Sequence, residues 1–136
     1  MADIDIKITD NSDEVLKQLA NRTHVALEAV GIQAEGFAKR SAPVNTGRLR
    51  SSITHAVKGS DCYIGTNVDY AMWQELGTGI YASDGKGRQS PWAFQDSKGV
   101  WHNTRGVKPK HFIRNAAANH SKEYKAIIEH YLKGND

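Results

Sequence analysis

The chain has little of what most enzymes and secreted scaffolds are built on. It holds one cysteine, Cys62, so no intrachain disulfide can form, and a reducing compartment such as the bacterial cytoplasm is expected. No apolar run approaches the roughly 18 residues a membrane helix needs. The opening Met1-Ala2-Asp3-Ile4-Asp5-Ile6-Lys7 lacks a basic segment followed by an apolar core, so no secretory signal is read there. The expectation is a soluble protein with no membrane partner. Charge of one sign is also scarce. Eighteen Lys and Arg against fifteen Asp and Glu leave +3, and the basic residues are scattered except for a modest concentration from Lys98 to Arg114. A dedicated nucleic-acid binder concentrates its charge more strongly. DNA contact is therefore a secondary expectation.

Chemistry-bearing patterns are missing too. His24, His55, His102, His111, His120 and His130 with Cys62 match no common zinc spacing, and HExxH and CxxC are absent. His102-Asn103 faintly suggests a nuclease motif, but no second histidine and base can be placed around it. Ser41, Ser51, Ser52 and Ser90 lack a GxSxG context. Glu28 and Glu35 lie seven apart on a helix, two turns from each other, which suits a solvated face better than a shared proton. Gly77, Gly79, Gly85 and Gly87 lack the Gly-Lys-Ser/Thr ending of a phosphate loop. No enzyme activity, cofactor or metal is expected.

What is present is the patterning of one domain over 1–136, long enough to bury about two-thirds of its unfolded surface. Residues 3–9 alternate around Ile4, Ile6 and Ile8, predicting a short strand. Asn11-Ser12-Asp13-Glu14 supplies a cap residue and early acids for a long helix from about Asp13 to Arg40. Its inner face is expected to hold Val15, Leu16, Leu19, Val25, Ala26, Val30, Ala34, Phe37 and Ala38. Pro43 stops it. A turn at Thr46-Gly47 leads into a strand from Leu49 to Lys58, paired through Gly59-Ser60-Asp61 with a strand starting at Cys62. Asn67 to Leu76 suits a short helix, ended by Gly77-Thr78-Gly79.

From about 80 to 108 a protruding loop is predicted. Ser83-Asp84-Gly85-Lys86-Gly87-Arg88 is exposed and mobile in this reading, and Trp92-Ala93-Phe94 and Val100-Trp101-His102 flank a second turn. A last helix runs near His111 to Lys133, with Ile113, Ala116, Ala117, Tyr124, Ile127, Ile128, Tyr131 and Leu132 inward. The fold class is α+β: a small antiparallel sheet packed against a long N-terminal and a C-terminal helix. Trp73 belongs in the core on this reading, whereas Trp92 and Trp101 suit an interface as well as a core. Arg48 and Arg50 are candidates to pair with Glu75 or a neighbouring subunit, with a solvated position as the default.

Three segments carry a family resemblance. Ala42-Pro43-Val44-Asn45-Thr46-Gly47-Arg48-Leu49-Arg50-Ser51-Ser52-Ile53 resembles a motif A-P-V-x-T-G-x-L-R-x-S-I. Tyr70-Ala71 running into Glu75-Leu76-Gly77-Thr78-Gly79 is similar to Y-A-x-x-x-E-x-G-T-G. Lys108-Pro109-Lys110-His111-Phe112-Ile113-Arg114-Asn115-Ala116 resembles a closing P-x-x-F-h-x-x-A, where h is apolar. Leu76 and Asn115 depart from the pattern, which commonly has an aromatic and a proline there. The three stand in order across roughly Ala34 to Ala118 and resemble a family of small tail-component proteins of long-tailed phages.

The resemblance implies a non-enzymatic virion protein of the neck or tail, acting in head-tail joining or tail completion and assembled in the host cytoplasm. It implies self-association into a ring, expected to be a hexamer from the tail symmetry of relatives. Its neighbours would be head-closure and tail-terminator or tail-tube proteins. Pro43, Thr46, Gly47, Arg48, Leu49, Tyr70, Glu75, Gly77, Thr78, Gly79, Pro109 and Phe112 are expected to fix the fold. Thr46 would cap its turn through the hydroxyl, and Glu75 would bond backbone amides or Arg48. The loop would contact neighbours, with Trp92, Trp101, Arg88 and Arg105 as interface candidates. A DNA-binding accessory protein, a metal-dependent nuclease and an assembly factor absent from the mature virion stay open as alternatives.

Overall fold

The computed structural model of the chain describes residues 8–44 and 47–133. The strand expected over 3–9 and the expected Thr46 cap therefore lie almost wholly or wholly outside the described residues.

Helix α1 spans Ser12–Ser41, with Asp13 and Glu14 in its first turn and Lys39 and Arg40 in its last. These charges complement the two ends of the helix dipole. The capping differs from expectation: Asn11 makes no side-chain cap bond. Instead the carboxylate of Asp10 accepts from the Ser12 amide at 3.0 Å and the Ser12 hydroxyl at 2.6 Å. Ala42 is extended, as a residue before proline must be, and its amide closes the helix on the Ala38 carbonyl at 2.9 Å.

The inner stripe of α1 is shorter than its periodicity predicts. Ala26, Val30, Gly31, Ala34 and Ala38 are buried, but Val15, Leu16, Leu19 and Val25 are exposed. These small buried residues let the rest of the protein approach α1 closely. At Gly31 a Cβ would lie 2.4 Å from His55 Cδ2 and 3.0 Å from Cys62 Sγ, so the first hairpin rests directly on the helix backbone.

That hairpin pairs β1 (Thr54–Lys58) with β2 (Asp61–Gly65), in a register from Thr54 opposite Gly65 to Lys58 opposite Asp61. The strand expected to begin at Leu49 begins five residues later. Gly47, at φ 83°, starts a one-turn helix α2 (Arg48–Ser52) instead. The Ser51 and Ser52 hydroxyls donate to the carbonyls of Arg48 and Leu49, a bond geometry that holds serine in a helical turn. Leu49 and Ile53, four apart, are both buried.

Helix α3 (Ala71–Leu76) follows, then a single 3-10 turn at Gly79–Tyr81. A second hairpin pairs β3 (Trp92–Gln95) with β4 (Trp101–Thr104), Trp92 standing opposite Thr104. Among the described residues the antiparallel content is thus two separate two-stranded sheets. The single C-terminal helix expected is two: α4 (Phe112–Ala118) and α5 (Ser121–Lys133). The chain breaks at Asn119 and His120. The ring of His120 stacks on Phe37 of α1 at 3.5 Å between centroids, 5° from parallel, and the Tyr124 hydroxyl donates to the Ala116 carbonyl. The first contact ties the bend to α1, and the second ties α5 to α4.

The core gathers Ala38, Ala42, Leu49, Ile53, Val68, Ala71, Phe112 and Ala116, with Phe37, Ile64, Tyr70 and Ile113 packed at its edge. It lies beneath the C-terminal half of α1. Trp73 is not in it. Its ring is 55% exposed, because Ala71 is the residue α3 turns inward. Of the expected inner stripe at the C-terminus, Ala116 is buried, while Ala117, Tyr131 and Leu132 face outward. Among the described residues no helix is long and apolar enough to cross a membrane.

Candidate assembly surface

The second and third motifs meet in one place. Glu75, half-buried on α3, turns its carboxylate onto the start of α4, where Oε2 accepts from the Ile113 amide and Oε1 from the Arg114 amide, each at 2.9 Å. A carboxylate there satisfies two amides that a helix leaves without partners. The backbone joins in: the Lys110 amide donates to the Gln74 carbonyl at 2.7 Å and the His111 amide to the Glu75 carbonyl at 3.2 Å. Glu75 is thus the remote cap of α4. His111, just before that helix, takes the left-handed conformation at φ 49°.

Beyond α3 the Gly77-Thr78-Gly79 run lies against the returning segment at 105–109. The Thr78 amide donates to Val107 O at 2.9 Å, the Ile80 amide to Arg105 O at 3.0 Å, and the Val107 amide to Thr78 Oγ1 at 2.9 Å. These bonds bring the two backbones closer than side chains allow. A Cβ on Gly79 (φ 61°) would sit 1.9 Å from Arg105 O, and one on Gly106 would sit 2.0 Å from Thr78 O. One on Gly87 would be 2.0 Å from Gly79 O, so three glycines cross at one point. Gly77 (φ 78°) packs beside Pro109, which explains why both motif residues are small or rigid.

This crossing is the base of the protruding segment predicted over 80–108. Between it and the second hairpin, the Ser83 hydroxyl donates to the Leu76 carbonyl and the Lys86 amide to the Asp84 carboxylate. At the tip, Asp96 organises the turn by accepting from the Lys98 and Val100 amides at 2.9 Å each and bonding His102 Nε2 at 2.7 Å. The bond from His102, followed by that from Val100, holds the Asp96 carboxyl below the usual range. His102 is thereby a structural partner in the turn, and it also stacks on Phe94 at 5.3 Å. Strands β3 and β4 pack extensively only on each other. The hairpin therefore stands off the body as an arm.

Trp92 and Trp101 are on this arm, and Arg88 and Arg105 flank it. Trp101 is 68% exposed, with exposed Val100 and Phe94 nearby in the same hairpin. Trp92 is half-buried under the Arg88 guanidinium at 5.5 Å, and Arg88 Nε donates to Ser90 Oγ at 3.0 Å. Arg105 is exposed and contributes its carbonyl to the crossing. Of the first motif, Pro43 ends α1, Gly47 makes the left-handed turn and Leu49 is buried, while Arg48 is exposed at the start of α2. Tyr70 lines the core and Phe112 is its largest buried side chain. A shallow cleft of about 420 Å³ opens beside α3, lined by Met72, Trp73, Leu76, Gly77, Ala82, Ser83 and Asp84.

One cluster went unseen in the sequence. His55 on β1 bridges the two carboxylates of α1 that spacing alone separates. Its Nε2 lies 3.0 Å from Glu28 Oε2, and its Nδ1 lies 3.4 Å from Glu35 Oε1. The bond from Glu28 outweighs partial burial, and with Glu35 it raises the His55 pKa above its ordinary value. Cys62 beside it has its thiol pushed up by burial, then by the charge of Glu28. The signal available was Gly31: a glycine midway between Glu28 and Glu35 leaves a notch in which a strand residue can sit. Among the described residues no group of three or more His, Cys, Asp or Glu is placed to hold a metal ion.

The family model described as "Bacteriophage HK97-gp10, putative tail-component" matches residues 6–77. The match takes in more than half of the chain. The protein belongs to the HK97-gp10-like family of phage tail components. The matched span runs through α1, the first hairpin and α3 to Gly77, and the arm lies beyond it. No curated protein and no solved structure matches the chain.

Proposed function

We propose that this tail component acts in head-tail joining or tail completion, assembling with copies of itself into a ring at the neck and meeting head-closure and tail-terminator or tail-tube proteins there. The tail symmetry of relatives favours six copies. The observation that carries the reading is the arm: a hairpin presenting an exposed tryptophan, anchored by a glycine crossing and contributing nothing to its own core. A side chain as large as Trp101 left at the tip of a standing hairpin is what an assembly contact uses as an anchor. Membership in a tail-component family supports a non-enzymatic role. Its motif residues are occupied in making turns, caps and close backbone approaches.

Light scattering on the purified protein, with mass spectrometry of purified virions, tests this. A defined ring and presence in the particle support it. Absence from the virion alongside a ring would make the protein an assembly factor that leaves before maturation. A rival reading takes the arm as a nucleic-acid contact, since six Lys and Arg against two Asp give residues 80–110 a charge of +4. Binding to duplex DNA that weakens steeply with salt would favour it.

A further inference from the structure

Among the described residues, nothing covers the first three turns of α1. The Arg22 guanidinium reaches the Leu132 carbonyl at 3.4 Å, so the last described turn of α5 meets α1 there. From Ser12 to Arg22 every residue is exposed. At 1.5 Å per residue this overhang extends about 15 Å past α5. Val15, Leu16 and Leu19 lie on one face of it, 52%, 62% and 49% exposed. Asp10, Asp13 and Glu14 flank that face, and the first 21 residues carry five acids against two lysines, or −3.

The arm is its complement. It presents Trp101 on one face of the hairpin, with Phe94 beside His102 on the other, on a segment of charge +4, so with +3 for the whole chain the rest of the molecule carries −1. Both surfaces are apolar at the centre and charged at the rim, with opposite signs, the arrangement that selects and orients a partner. We infer that the arm of one copy lies across the leading turns of α1 of the next copy. This rests on the self-assembly reading and names its contact. The two surfaces are different, so the contact is head-to-tail, and repetition closes a ring or grows a filament.

The test uses two surface variants of the full chain, Leu16→Glu and Trp101→Glu, with thermal melts to show that both fold. Native mass spectrometry reads their assembly alone and mixed. Each variant alone should associate about tenfold or more weakly than the unaltered protein, the cost of losing one anchor in a contact of this kind. Mixed, they should form one-to-one dimers and stop. In such a pair the intact arm of the Leu16→Glu copy docks on the intact helix of the Trp101→Glu copy, leaving only damaged surfaces free. If both variants assemble like the unaltered protein, the contact is wrong and the ring reading survives. Variants that dissociate but do not pair on mixing overturn the arm-to-helix contact as well. An unaltered protein that stays monomeric at high concentration removes both. DNA binding lost in Trp101→Glu, without self-association, assigns the arm to nucleic acid and overturns the inference.

Discussion

Removing the Glu75 carboxylate should loosen the join between α3 and α4 by a calculable amount. In Glu75→Ala the Ile113 and Arg114 amides lose their acceptors. Hydrogen bonds to a charged group contribute about 1.5–3 kcal/mol each, and loss of a capping side chain costs about 0.5–2 kcal/mol. Arg114 is exposed and Ile113 only half-buried, so water takes over part of the role. With that discount the pair should contribute about 2 kcal/mol, below the ~3 kcal/mol that two such bonds give at their low end. At about 2.1 cal/mol/K per residue, a chain of 136 residues unfolds with about 0.3 kcal/mol/K, so Tm should fall by about 7 °C. Glu75→Gln keeps one acceptor oxygen and should lose about half as much. Calorimetry of the three proteins at neutral pH is the assay. A Glu75→Ala melt within about 1 °C of the unaltered protein would refute the capping role.

The two glycines inside α1 should respond to alanine with opposite signs. At Gly36 the added methyl meets only Arg40 Nη1 at 3.5 Å, so Gly36→Ala should gain about 0.5–1 kcal/mol in a urea melt. Gly31→Ala drives a Cβ into the His55 ring, which Glu28 and Glu35 hold, and should cost about 1–3 kcal/mol. Gly79→Ala combines a left-handed φ with a backbone clash and should cost about 2–4 kcal/mol, opening the base of the arm to limited proteolysis. The His55 contribution has a definite pH sign. Its folded pKa is raised, so the stabilisation is complete below the unfolded value of about 6.5 and is lost as pH rises through the folded pKa. The Tm difference between the unaltered protein and His55→Gln should therefore shrink from pH 6 to pH 9; a constant difference would show that the bridge carries no proton-linked stability.

Much of this architecture was legible because it rests on local rules. Pro43 marked the end of α1, a turn was legible between the strands of each hairpin, and Gly77-Thr78-Gly79 marked a real constraint. What failed needed information from distant segments. Leu49 and Ile53, four apart, share a face in a strand as well as in a helix, and Gly47 and two serines decide the matter only once a core exists to receive both side chains. The heptad-like run at Val15, Leu16 and Leu19 was read as core because periodicity reports that a helix has an apolar face, not what covers it. The split of the last helix depends on His120 stacking against Phe37, eighty-three positions away along the chain. The His55 bridge joins groups on two elements that spacing within either one could not connect. At the assembly surface, the arm and its tryptophans could be located from composition, while the crossing of Gly79, Gly87 and Gly106 beneath it could not.

The most direct measurement is electron microscopy of lysates from the parent phage carrying a stop codon in this gene. A protein of the head-tail joint predicts DNA-filled heads lying apart from finished tails, or tails left incomplete at the end that meets the head. Intact, infectious particles in that lysate would contradict a structural role in the tail.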